Sequence, residues 1–199
     1  MSLNLFIIGP SGSGKSTQAE LIAKKYKLTH LSMGQLLRDE IKSGSRLGLD
    51  IKKNVDQGTP VPNDIVLPIL SVNLNQINNQ NFIIDGFPRL VDQGHYIDLY
   101  LKDKGNPSTL LIHLVVDFAE ISRRRQNKGE QFQSQDRTDN TSEAIANRQK
   151  VLYEANVNPV LDYYRHQNKL FEVDGNRPVE PIFDDICQYI NKILKINQI

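Results

Sequence analysis

The strongest constraint on the fold of this chain lies in residues 3–17, which read LNLFIIGPSGSGKST. An apolar run typical of a buried strand leads into a glycine-rich loop, and a helical pattern follows that loop. Gly9, Gly14, Lys15 and Ser16 match the phosphate-binding pattern G-x-x-x-x-G-K-S/T. Backbone N–H groups of such a loop surround a polyphosphate, and the N-terminus of the next helix adds further donors. The segment therefore predicts a nucleoside triphosphate site between a strand and a helix.

The two polar side chains at the end of this loop predict a metal-dependent reaction. Lys15 would reach the β- and γ-phosphates, and the Ser16 hydroxyl would bind Mg²⁺. Asp85 ends a second buried strand within FIIDGFPR. The carboxyl ends of parallel strands are where ligands bind in such sheets, so Asp85 would lie near the loop and hold Mg²⁺ or its waters. The alternative is that Asp85 only caps the turn that Gly86 opens.

Strand and helix patterns alternate along the whole chain of 199 residues. This alternation predicts an α/β fold with a five-stranded parallel sheet and helices on both faces, in a single domain, residues 1–199. The predicted strands are residues 3–8, 28–31, 82–85, 110–116 and 169–173. The predicted helices are residues 15–26, 35–42, 47–57, 64–77, 91–104, 120–128, 141–166 and 181–196.

The composition of the chain limits which binding partners and which cellular compartment we expect for the protein. Lys and Arg number 24 against 23 Asp and Glu, so a net charge of +1 gives no general attraction to nucleic acid or anionic membrane. The single cysteine, Cys187, cannot form an intrachain disulfide and is expected in the core. No apolar run approaches the roughly 18 residues of a membrane span. Because the first strand begins within the first few residues, we expect no signal peptide. We expect a cytoplasmic monomer.

Two segments interrupt the alternation, residues 32–61 and the polar stretch 129–136. Phosphoryl transfer needs several cations, because the migrating group spreads negative charge over three oxygens. An arginine on a helix can equally be a solvated surface residue. The arginines that would face the phosphate loop are Arg38, Arg89, Arg137 and Arg148.

Five motifs occur in this chain order: GPSGSGKST, LSMGQLLRDEI, QGTPVPNDIV, FIIDGFPRLVDQ, and DRTDN with Arg148. Together they resemble adenylate kinases, which are nucleoside monophosphate kinases. The resemblance covers nearly the whole chain. It implies a phosphate-loop NTPase fold and transfer of the γ-phosphoryl group of ATP to AMP, giving two ADP, with Mg²⁺. It also implies a monophosphate-binding segment at residues 32–61 and a short lid at residues 125–138. A zinc-binding lid is not expected, because the lid contains no cysteine.

The resemblance assigns individual residues. Catalysis is assigned to Lys15, Arg89, Arg137 and Arg148. The ATP site is assigned to Gly12, Ser13, Gly14, Lys15, Ser16, Thr17, Arg124 and Gly175, with the arginine uncertain by one position in the run 123–125. The AMP site is assigned to Met33, Arg38, Thr59, Val61, Gly86, Arg89 and Gln93, and the metal to Ser16 and Asp85. In this assignment the carboxamide of Gln93 pairs with the adenine edge of AMP.

Four residues depart from the family pattern: Met33 replaces a threonine at the AMP base, Gln35 an acidic residue, Lys128 a second lid arginine and Asn140 an aspartate. They concern substrate preference and turnover, not the phosphate machinery. Three alternatives therefore stay open. One is a related kinase acting on CMP, UMP or a deoxynucleotide. Another is a GTPase-like switch, although residues 127–130 read NKGE where N-K-x-D is required. The third is a catalytically weak paralogue retained for binding.

Overall fold

A computed structural model describes residues 2–57, 59, 61–128 and 153–196. Five strands pair in parallel in the order β2-β3-β1-β4-β5. The strands are β1 Asn4–Ile8, β2 Thr29–Ser32, β3 Phe82–Asp85, β4 Leu110–Val115 and β5 Leu170–Asp174. The predicted five-stranded parallel sheet is confirmed, and β1, which leads into the glycine-rich loop, lies at its centre.

The described part of the chain contains eight α-helices. They are α1 Lys15–Tyr26, α2 Met33–Lys42, α3 Arg46–Gln57, α4 Asn63–Gln76, α5 Val91–Asp103, α6 Phe118–Lys128, α7 Val157–His166 and α8 Val179–Ile196. None of these helices is long and apolar enough to cross a membrane. Most predicted boundaries agree with the structure to within two residues.

Helices cover both faces of the sheet, as predicted. Along β1, Phe6 and Ile8 pack into one buried cluster, whereas Leu5 and Ile7 pack into another. Successive side chains of a strand point to opposite faces, so these two clusters are the cores above and below the sheet. Cys187 is buried in α8, which confirms its predicted place in the core.

The predicted helix 141–166 is not continuous: its C-terminal part, residues 157–166, is helical as predicted, but a turn precedes it. Residues 155 and 156 form a turn, and α7 begins only at Val157. Pro159 accounts for the break, because its ring lacks an N–H and would clash with the carbonyl of Ala155 in a continuous helix. A proline is tolerated within the first turn of a helix, which is where Pro159 lies. Residues 141–152 of this prediction lie outside the described residues.

The strand register brings the candidate metal ligand to the phosphate loop. Asp85 is the last residue of β3, and it pairs with Ile7 on one side and Ser32 on the other. The N–H of Gly86 continues this pairing by donating to the Ile7 carbonyl at 3.0 Å. The loop after β1 and the turn after β3 therefore leave the same edge of the sheet side by side.

Candidate active site

The loop between β1 and α1 has the conformation that its glycines predict. Gly12 and Gly14 have φ angles of 91° and 93°, in the region that side chains other than glycine rarely adopt. The Ser13 N–H donates to the Pro10 carbonyl at 3.1 Å, and the Lys15 Nζ lies 3.4 Å from that carbonyl oxygen. The Lys15 side chain thus folds back over the loop, and the two would bind phosphate together.

Ser16 and Asp85 form the predicted metal pair. The Ser16 Oγ donates a hydrogen bond to Asp85 Oδ2 at 2.5 Å, and Asp85 is only 3% exposed. Its other oxygen, Oδ1, is buried without a hydrogen-bond partner among the described residues. Within the described part of the chain, Asp85 makes no hydrogen bond to the following turn, because Oδ2 bonds to Ser16 and Oδ1 has no partner. A buried carboxylate oxygen that lacks a donor, beside a hydroxyl, fits a hard cation such as Mg²⁺.

Arg89 is aimed by the turn that follows β3. Gly86 has a φ of 79°, and its carbonyl accepts a hydrogen bond from Arg89 Nε at 2.8 Å. A Cβ atom on Gly86 would lie 3.3 Å from Arg89 Nη2 and 3.9 Å from Lys15 Cε. The two predicted phosphate-binding cations therefore converge on a glycine that leaves room for both.

Two cavities meet at the phosphate loop. A cavity of about 140 Å³ is lined by Asp85, Gly86 and Arg89, by Thr59 and Val61, and on its far side by Tyr153, Val157 and Val160. A cavity of about 700 Å³ is lined by residues 11–18 and by side chains of α6 and of the segment 176–182. The residues that line both cavities are Ser11, Lys15, Ser16 and Arg38. This arrangement provides two neighbouring sites with a shared cationic boundary.

Arg123 and Arg124 both line the larger cavity, and Arg124 is the one that bonds to the phosphate loop. Its Nη1 donates to the Ser13 carbonyl at 2.8 Å and its Nη2 to the Gly175 carbonyl at 2.6 Å. Its Nε donates to Glu120 at 2.7 Å, whereas Arg123 binds the same carboxylate from a side chain that is 62% exposed. Hydrogen bonds from Arg123 and Arg124 lower the pKa of Glu120 to about 2, so this carboxylate stays ionised at neutral pH. The side chain of residue 125 lies outside the described part.

Gly175 lies where a larger residue would not fit. A Cβ atom there would come within 2.5 Å of Val116 Cγ2, and the Gly175 N–H donates to the Val115 carbonyl at 2.8 Å. Its place close to the end of β4 lets its carbonyl reach Arg124. Gly175 is buried and does not itself line either of these two cavities.

Arg38 is held by a neighbour in α2 that departs from the family pattern. The Gln35 Oε1 accepts hydrogen bonds from Arg38 Nη2 at 2.7 Å and from Arg38 Nε at 3.3 Å. Gln35 Nε2 in turn donates to Asp39 at 2.7 Å. The neutral Gln35 thus orients Arg38, and the negative charge lies on Asp39, which contacts Gln35.

Two predicted base-binding residues lie behind the cavity wall. Met33 is 2% exposed and Gln93 is 4% exposed, and neither lines the smaller cavity. The carboxamide of Gln93 is bonded to the protein: its Oε1 accepts from the Arg89 N–H at 2.8 Å, and its Nε2 donates to Asn63 Oδ1 at 2.9 Å. The predictions for Arg137, Arg148 and most of the lid fall outside the described residues.

Sequence reasoning did not single out Asn63, Glu120 or Tyr153. Asn63 lies inside the motif QGTPVPNDIV, and Glu120 lies four residues before Arg124, so both had a signal in the sequence. Tyr153 had none, because its partner is distant in sequence: its hydroxyl makes a short contact with Nε2 of the buried His113.

His113 of β4 is buried, and both of its ring nitrogens contact neighbouring side chains. Its Nδ1 lies 3.1 Å from Glu172, and burial lowers its pKa despite that neighbour. The described residues contain no cluster of three His, Cys, Asp or Glu side chains that could hold a metal ion.

Comparison with known proteins agrees with this geometry. A family model described as adenylate kinase matches residues 7–169. An adenylate kinase of Azobacteroides pseudotrichonymphae is 37% identical over 194 residues, which is 97% of this chain and 100% of the relative. Adenylate kinases of Bacteroides fragilis and Archaeoglobus fulgidus are 34% and 32% identical, over 96% of this chain and 100% and 99% of their own lengths. The chain belongs to the adenylate kinase family, and its activity is the transfer of the γ-phosphoryl group of ATP to AMP, which yields two ADP.

Proposed function

We propose that the larger cavity binds ATP, that the smaller one binds AMP, and that the phosphoryl group crosses where the two cavities meet. The observation that carries this assignment is the set of residues common to both walls, above all Lys15 and Arg38. Two polyanions must be held in contact for the transfer, and cations at their boundary offset the repulsion. A single cavity on one side of the loop would support triphosphate hydrolysis but not transfer between two nucleotides.

Arg38 and Arg89 would hold the phosphate of AMP. Both guanidinium groups are fixed from within the protein, Arg38 by Gln35 and Arg89 by the Gly86 carbonyl. A planar guanidinium so oriented presents parallel donors to a phosphate, which a lysine does not. The attacking phosphate oxygen of AMP is already anionic, so no general base is needed. Positioning and electrostatics therefore account for the chemistry.

Ser16 and Asp85 would hold Mg²⁺, directly or through water. The metal would supply charge neutralisation at the β- and γ-phosphates when it is bound. Without a cation, a carboxylate at Asp85 would repel the triphosphate from the loop, so nucleotide binding is proposed to depend on the metal. Arg137 and Arg148 are proposed to act with Lys15 on the transferring group, from outside the described residues.

Residues 32–61 are proposed to be the monophosphate-binding segment and residues 125–138 the lid. The first proposal is supported by α2 and α3, because Arg38, Val55 and Thr59 of this segment line the smaller cavity. We further propose that the enzyme is a monomer that needs no zinc, nucleic acid or membrane. The net charge of +1 supports the part of this proposal that concerns nucleic acid and membranes.

The base preference is proposed to come from Gln93, with AMP preferred over CMP and UMP. Pyrimidines would leave its buried carboxamide partly unpaired, at a cost of about 1–3 kcal/mol. Met33 cannot donate or accept as a threonine does, so the preference would be softer than in relatives that carry threonine.

Steady-state kinetics with ATP and each of the three monophosphates tests this proposal. We expect kcat/KM for AMP to exceed that for CMP and UMP by about ten- to a hundredfold, and Gln93→Ala to remove most of the difference. Gln188→Ala, on an exposed position of α8, is the matched control and should change nothing. A wild-type enzyme that prefers CMP or UMP would overturn the assignment of the acceptor pocket.

A further inference from the structure

The carboxamide of Gln93 is held in one orientation by two neighbours. The backbone N–H of Arg89 lies 2.8 Å from Oε1, and Asn63 Oδ1 lies 2.9 Å from Nε2. A backbone N–H can only donate, so the atom that faces Arg89 must be the oxygen, and the nitrogen then faces Asn63. Gln93 is 4% exposed, so a carboxamide that turned over would lose both bonds with little solvent to replace them.

Asn63 is placed to act on the acceptor site without contacting its phosphate machinery. It is the first residue of α4 and follows Val61, which lines the smaller cavity, by two positions. Its Oδ1 bond to Gln93 joins α4 to α5, across 30 positions of sequence. Arg89, which supplies the other bond, lines the same cavity.

We propose that Asn63 is a specificity-determining positioning residue, which keeps the Gln93 carboxamide in the orientation that accepts adenine and rejects hypoxanthine. This inference rests on the proposed function, in which Gln93 pairs with the base of the monophosphate. Asn63 acts through Gln93 and does not itself touch the substrate.

The chemistry follows from the hydrogen-bonding capacity of an amide. A carboxamide has two N–H donors and two acceptor lone pairs, and the protein uses one of each, which leaves one donor and one acceptor. Adenine presents a donor, the N6 amino group, beside an acceptor, N1. Hypoxanthine presents the reverse, an acceptor at O6 beside an N1–H donor. A carboxamide that can turn over pairs with either base, whereas a fixed one pairs with adenine alone.

Removing the acceptor at position 63 should therefore relax the choice between the two purines. Leucine is close in size to asparagine but cannot accept a hydrogen bond. In Asn63→Leu, only the Arg89 N–H still favours the original orientation of the Gln93 carboxamide. We expect the ratio of kcat/KM for AMP to kcat/KM for IMP to fall about three- to tenfold, the equivalent of one lost hydrogen bond. The change should lie in KM, because the phosphate-binding residues are untouched.

The experiment compares wild type, Asn63→Leu, Asn63→Ala, Asn63→Asp and Gln93→Ala, with ATP as donor and AMP or IMP as acceptor. An aspartate at position 63 can only accept, so Asn63→Asp should keep the wild-type ratio even if it changes both rates. A general disturbance of α4 would lower both efficiencies equally and leave the ratio alone. Asn63→Ala gives the same test should the leucine variant fail to fold.

The experiment distinguishes failure of the positioning role of Asn63 from failure of base recognition by Gln93. If Gln93→Ala lowers the AMP:IMP ratio but Asn63→Leu and Asn63→Ala do not, the positioning role is wrong and base reading by Gln93 stands. An aspartate variant as relaxed as the leucine variant would also overturn it. If Gln93→Ala leaves the ratio unchanged, the proposed base reading itself is wrong.

Discussion

Replacement of Arg89 by lysine is expected to damage the enzyme almost as much as replacement by alanine. In the structure, Arg89 Nε is bonded to the Gly86 carbonyl at 2.8 Å, and the side chain lines the smaller cavity. Arginine can use Nε as an anchor and still direct the pair of Nη groups to phosphate. Lysine has one nitrogen, which must either replace the anchor or reach the phosphate as a point charge.

The size of the effect follows from the contacts that lysine cannot make. The anchor to a neutral carbonyl accounts for about 0.5–1.5 kcal/mol, and one charge-assisted contact to phosphate for about 1.5–3 kcal/mol. Loss of both corresponds to a fall in kcat/KM for AMP of roughly thirty- to 1,500-fold, at about 1.4 kcal/mol per factor of ten. Arg89→Ala loses the same contacts and also the point charge that lysine retains. An undirected charge screened by solvent contributes about 0–1 kcal/mol, so the two variants should lie within about fivefold of one another.

A coupled assay of ADP formation, with AMP varied at saturating ATP, measures the change. Arg46→Lys is the control, because Arg46 is an exposed residue of α3 that does not line either of the two cavities. Its kinetics should match those of wild type. If Arg89→Lys retained more than about a third of the wild-type kcat/KM, the forked contact and its anchoring would be refuted, and Arg89 would act only as a charge.

Two further predictions concern stability and metal content. Asp98 accepts hydrogen bonds from Ser108 at 2.6 Å, Tyr163 at 3.1 Å and Gln167 at 3.2 Å, so Asp98→Ala should lower the free energy of unfolding by about 2–4 kcal/mol. Urea titration measures this change, and Asp162→Ala, which removes an exposed ion pair, should cost under about 1 kcal/mol. Zinc should be absent from protein purified without added metal. Stoichiometric zinc, lost on chelation together with stability, would contradict the expectation of a zinc-free lid.

The sheet could be predicted from the sequence because its signals are local. Each central strand is a short apolar run, and the glycine-rich loop fixes which strand leads into the phosphate site. The prediction failed near Pro159, where apolar periodicity continued although proline removes an N–H donor and crowds the preceding turn of a helix. Periodicity records which side chains are buried, and it does not record whether each backbone N–H has a partner.

The candidate site could be predicted only in part, for a related reason. Lys15, Ser16 and Asp85 are marked by motifs, and the strand register then brings them together. Some of the bonds that orient Gln93 and Arg124 join residues 30 and 111 positions apart, and no local pattern records these pairs. Motifs therefore identify the residues that would bind the substrates and the metal, whereas the groups that orient those residues are seen only in the packed structure.

Arg124 shows how one side chain can serve the fold and the ligand at once. The sequence assigns it to the adenine of ATP, yet its nitrogens donate to Glu120, to Ser13 and to the loop after β5. These donors all lie in the plane of the guanidinium group, and stacking on a base uses the face of that plane instead. The in-plane bonds therefore do not compete with a stacked adenine. These bonds connect the phosphate loop to the loop after β5 and hold the face of the guanidinium group in a fixed direction. The conformational entropy of the Arg124 side chain is therefore lost when the protein folds and not when ATP binds.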